Sequence, residues 1–161
     1  MTKRDLRILA SNEAEVARSR LVRAQQASEK GQRKDAMAFA AESAFDTGIA
    51  TAYSVLCKEK GFQAETVEIL DQCHGFIGGK KQSVKVPQNA KSALKLAGDG
   101  TGAIPSVFYA GMGFGYAQAK KNDKVSRQAI EQFHVLASDL KLTTPMQSNP
   151  MSSNLKRKLL K

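Results

Sequence analysis

An all-α fold, one bundle of about five helices, is what the sequence predicts, and three observations carry it. Residues 34–60, KDAMAFAAESAFDTGIATAYSVLCKEK, are apolar or small on every side of a helical wheel. A helix of that kind belongs in the centre of a bundle. The segments around it repeat apolar residues at intervals of three and four. No alternating pattern is long enough to build a sheet, and no internal repeat occurs. The domain is expected over residues 12–142, after a lead-in over 1–11 and before a flexible basic tail over 143–161.

The first helix is expected from Asn12, an N-cap with Glu15 three residues on, to about Lys30. Ala14, Ala17, Leu21, Ala24 and Ala27 make its apolar stripe, flanked by Arg18, Arg20 and Arg23. The turn Gly31-Gln32-Arg33 is short, so the next helix should return antiparallel. In that central helix Ala36, Ala40, Ala44, Gly48 and Ala52 fall four apart and form a smooth face where a neighbour can approach. Gly61 offers a left-handed stop. A third helix over 63–73 should bury Ala64, Val67, Leu70 and Cys73 and turn Glu65, Glu68 and Asp71 outward.

Residues 75–87 read as a looser region with a basic turn at Gly78-Gly79-Lys80-Lys81 and a brief extended piece, Ser83-Val84-Lys85-Val86. A short helix over 89–97 is capped by Asn89. Residues 98–102 are glycine-rich, but no Gly-Lys-Ser/Thr follows and no strand precedes, so they do not form a phosphate loop. The helix over 104–121 is rich in glycine. Gly111, Gly115 and Ala119 line one face, best explained by close packing on the small face of the central helix. The last helix should run from Lys124 or Ser126 to Leu140 with Ile130, Phe133, Ala137 and Leu140 inward.

The net charge of +10 is uneven. Residues 1–34 hold nine basic and four acidic residues, and residues 35–75 hold two and seven. From 76 to 100 the count is five to one, and from 143 onward four to none. Such an excess suits a polyanionic partner. The expected contacts are Arg18, Arg20, Arg23, Lys80, Lys81, Lys85, Lys156, Arg157 and Lys158, meeting RNA in preference to DNA, or a nucleoprotein complex. A homo-oligomer is compatible with this reading. No apolar run is long enough to cross a bilayer, so no membrane partner is expected. Cys57 and Cys73 are too few for a disulfide framework and fit reduced thiols of a cytoplasmic protein. Cys73-His74 lacks a second pair at zinc spacing. No metal and no cofactor is implied.

Arg127 and His134 stand seven residues apart, two turns of the last helix, and project from nearly the same face. An arginine can hold a phosphate while a histidine moves a proton. The stretches DAMAFAAESAFDTGIATAYSVLCKEKG (35–61) and VSRQAIEQFHVLASDL (125–140) resemble the second and closing helices of the small helical HEPN families. The resemblance spans about residues 12–140 and implies a helical bundle. Many members of those families are ribonucleases with an Arg-x(4–6)-His motif, which would make Arg127 and His134 the catalytic pair. The preceding helix has only glycines, aromatics and Met112 over 111–116, where the nearest subgroup would carry an arginine. The preferred reading is therefore a non-catalytic basic binding protein. A HEPN-type ribonuclease of toxin type comes second, and an assembly subunit of a phage or mobile element third.

Overall fold

The computed structural model describes residues 1–59, 62–78, 83–100 and 102–140. Among them are six helices and no strand: α1 Lys3–Glu29, α2 Arg33–Leu56, α3 Phe62–Ile77, α4 Ala90–Gly98, α5 Ala103–Ala119 and α6 Asp123–Asp139. The described residues form an all-helical fold as expected, with six helices where about five were anticipated. The expected tail, with Lys156, Arg157 and Lys158, lies outside the described residues, as do Lys80, Lys81 and Gly61.

Three boundaries differ from the sequence reading; α3 runs to Ile77, past the expected end at Cys73 and into the stretch expected to be loose. The first helix begins at Lys3, not Asn12, because Thr2 and Asp5 form a capping box. The Asp5 N–H donates to Thr2 Oγ1 at 3.1 Å and the Thr2 N–H donates to Asp5 Oδ2 at 3.3 Å. Leu6 and Ala10 then extend the buried stripe of Ala14, Ala17, Leu21, Ala24 and Ala27 toward the N-terminus. At its far end α2 stops five residues before Gly61. Lys58 takes the left-handed conformation, at φ 62°, and the Glu59 N–H reaches back to the Ser54 carbonyl at 2.9 Å. This closure satisfies the last carbonyls of the helix without a glycine.

The buried side of α3 is also rotated from the expected one. Thr66, Ile69, Leu70 and Cys73 face inward, while Ala64 and Val67 are exposed. Hydrophobicity alone favours Val67 inside, but Thr66 has a partner there. Its hydroxyl lies 3.0 Å from that of Thr51 on α2.

α2 is the centre of the molecule, packed between α1 and α5. Seventeen of its residues, including Ala36, Ala40, Ala44, Gly48 and Ala52, are buried. α5 is buried from Ile104 through Ala117. The two helices meet backbone to backbone. A Cβ on Gly48 would collide with the Phe108 carbonyl and the Met112 nitrogen, and one on Gly111 with the Phe45 carbonyl. A Cβ on Gly115 would come within 2.8 Å of Ala52 Cβ and 2.9 Å of the Ile49 carbonyl. Phe45 of α2 then stacks on Phe114 of α5, at 5.8 Å between ring centroids, and on Phe133 of α6, at 4.6 Å. Gly113 is different, since its added Cβ would meet the side chain of Leu94 on α4.

These surroundings rank glycine substitutions. Gly48→Ala forces two backbones apart and should destabilise by about 3 kcal/mol. Gly113→Ala displaces only the flexible end of Leu94 and should lose about 1 kcal/mol or less. Gly75→Ala, inside α3 with nothing within 4 Å, should gain roughly 0.5–1 kcal/mol. Urea melts of the three variants test the order.

Candidate nucleic-acid interface

Of the sequence-predicted cations, Arg18, Arg20, Arg23 and Lys85 lie among the described residues, and their settings differ. Arg18 is exposed on α1 and ion-pairs with Glu65 of α3. Arg7, higher on the same helix, pairs with Glu59 at 3.1 Å. Part of the basic character of α1 is thus matched locally by acids. Arg23 is exposed. Lys85 is exposed, and its backbone N–H donates to the Tyr109 hydroxyl at 2.7 Å.

Arg20 must be removed from the surface set. It is 5% exposed, and its Nε lies 3.6 Å from Glu42 Oε2 and 3.6 Å from Asp46 Oδ2. The sequence reading counted these two acids in the acidic stretch 35–75 but assigned them no buried partner. They stand four apart, on one side of the helix, and α1 supplies their cation. One positive charge faces two carboxyls away from water. Burial, the dominant cause, pushes Glu42 up to about 8 against the pull of Arg20 and Arg23, with Asp46 adding to the rise. Asp46 is raised by burial too, against Arg20.

Arg127 and His134 are both exposed on α6, so the histidine is not the half-buried residue its neighbours Ile130 and Phe133 suggest. Among the described residues no cluster of His, Cys, Asp and Glu is arranged to hold a metal ion. Cys57 and Cys73 are free and buried, and burial raises the Cys73 thiol to about 12.

The feature that sequence order conceals is a groove where the start of α4, the end of α5 and the start of α6 meet the end of α2. Its volume is about 600 Å³. Lys91 of α4 and Lys120, just past α5, stand on it, with amide side chains of Asn89, Asn122 and Gln128. Leu56, Leu94 and Val125 give it an apolar floor. None of its lining residues is acidic. Lys121 and Lys124 flank the lining residues in sequence and are exposed, with one acid, Asp123, between them. Two helix N-termini open here, which adds to the positive potential. Asn89 caps α4 and Asn122 caps α6, each through Oδ1, which leaves the Nδ2 donors for the groove.

The walls are tied together. The Tyr116 hydroxyl of α5 donates to the Pro87 carbonyl at 2.5 Å, fixing the segment that enters α4. Gln132 of α6 donates to the Leu94 carbonyl of α4 at 3.3 Å. Gln118 of α5 donates to Ser126 Oγ of α6 at 3.0 Å. A groove held in this way is formed before any ligand arrives.

No family model, curated protein or solved structure matches this chain.

The buried carboxyls give a signed pH dependence. Their raised values mean that the folded chain retains a proton the unfolded chain has already released. Stability from this source is full below the ordinary Glu value of 4.5 and is lost as the pH rises toward about 8. The urea midpoint should fall over that interval, and Glu42→Gln should flatten the fall. A midpoint that rises from pH 5 to 8 in the wild type would contradict the assignment.

Proposed function

We propose that this chain is a small basic binding protein that contacts RNA, free or within a nucleoprotein particle, through the groove between α4, α5 and α6. The observation that carries the proposal is a groove with two lysines and no carboxylate in its lining, on a chain of net charge +10. Cations on α1 at Arg7 and Arg18 face carboxylates across the bundle. Lys91 and Lys120 instead share their groove with neutral amides and aliphatic side chains. A phosphate there meets attraction without an internal competitor.

Affinity for RNA should fall steeply with salt. Lys91→Ala with Lys120→Ala should reduce the slope of log K against log salt by about 1.4, two contacts at roughly 0.7 each for a single strand. Arg7→Ala, already matched by Glu59, should leave the slope nearly unchanged. Absence of RNA binding at low salt would overturn the proposal.

A second reading, the HEPN-type ribonuclease, is favoured by the common exposure of Arg127 and His134 on α6. Both side chains are open to a substrate, so either can be replaced without harming the fold. His134→Ala should shift stability by less than about 0.5 kcal/mol. Under the binding proposal, purified protein leaves single-stranded and transfer RNA intact. Cleavage lost in both Arg127→Ala and His134→Ala, at unchanged melting temperature, would promote the ribonuclease reading.

A further inference from the structure

We infer that the groove between α4, α5 and α6 receives one unstacked base of a single-stranded nucleic acid, while Lys91 and Lys120 hold phosphates of the same strand. The inference rests on the polyanion reading above and adds what part of the polyanion enters. A site for phosphate alone needs only charge and donors. This groove also has an apolar floor of Leu56, Leu94 and Val125. Those side chains are half-buried and gain from contact with a flat, weakly hydrated group. A nucleobase is such a group, and it is the one part of the polyanion without charge.

The polar rim suits the edge of a base. Asn89 and Asn122 spend their Oδ1 atoms on helix caps, so they present donors. Gln88 also lines the groove. Its Nε2 donates to the Val86 carbonyl at 3.0 Å, which leaves Oε1 as an acceptor and one further N–H for a ligand. Donors and acceptors therefore stand around an apolar lining, and the edges of splayed single-strand bases are read by such hydrogen bonds. About 600 Å³ is ample for a nucleotide. A duplex keeps its bases stacked and paired, so it can offer the rim its phosphates but nothing to the floor. The bonds from Tyr116, Gln118 and Gln132 hold the walls in place, so insertion needs little reordering of the protein.

The experiment uses the full chain and fluorescence anisotropy with four probes at one low salt concentration. They are a 12-nucleotide single-stranded oligoribonucleotide with one central 2-aminopurine, its deoxyribose counterpart, a 12-base-pair RNA duplex, and inorganic polyphosphate of matched charge. The single strands should bind at least tenfold more tightly than duplex or polyphosphate, and 2-aminopurine emission should change severalfold on binding. The ribose and deoxyribose strands tell the two sources of a base apart. Val125→Trp fills the floor and should weaken single-strand binding at least tenfold while leaving polyphosphate binding within twofold. Should Val125→Trp lower the melting temperature, Gln128→Leu, at an exposed rim position, should weaken single strands severalfold and spare polyphosphate. Equal affinity for all four probes with unchanged emission would overturn base insertion and leave the polyanion reading standing. No binding of any probe would overturn both.

Discussion

The close approach of α2 and α5 is the constraint on which the other packing depends. Gly48, Gly111 and Gly115 bring two backbones together so tightly that a methyl group has no room at the contact. Each glycine weakens its own helix by about 1 kcal/mol relative to alanine. The loss is offset by dispersion contacts along two almost wholly buried helices. It also sets the position of everything on α5. Phe114 reaches Phe45 because the axes are close, and Phe133 joins the same aromatic cluster from α6. Tyr109 and Tyr116, fixed on a rigid α5, hold the segment that enters α4. The groove therefore owes its shape to glycines that do not line it.

On the opposite side of α2 the association has a different physical basis. There Arg20 faces Glu42 and Asp46, and the Ser43 hydroxyl donates to the Ala17 carbonyl at 2.8 Å. A buried charge group of this kind is weak evidence for stability, because desolvation offsets most of the attraction. It does restrict how α1 can lie. Alanine stripes slide past one another with little change in contact, whereas a guanidinium withdrawn from its carboxyls leaves charge in an apolar interior. We read the trio as the register mark between α1 and α2.

The helices were legible because their periodicity is long and regular. The close packing of α5 was legible too, since only a near neighbour explains glycines four apart in a helix. The start of α1 was missed because Asn12 and Glu15 form as good a capping signal as Thr2 and Asp5, and only packing of Leu6 and Ala10 decides between them. The face of α3 was missed because a threonine inside depends on a hydroxyl from another helix. Arg20 was misplaced for a reason visible in principle. Two acids on one side of an all-round buried helix require a cation, and Arg20 could have been assigned to them. The groove was not legible. Lys91 and Lys120 are distant in sequence, and only the packing of α4 against α5 and α6 brings them to one groove.

The two buried thiols make the bundle a recorder of its own opening. Cys57 caps the end of the central helix, while Cys73 sits on α3, whose contacts with α1 and α5 are few beside those with α2. An alkylating reagent attacks the thiolate, and burial keeps Cys73 in the thiol form. Modification must therefore wait for a fluctuation that lifts α3 from the bundle. The rates at the two cysteines separate partial detachment of α3 from cooperative unfolding of the centre.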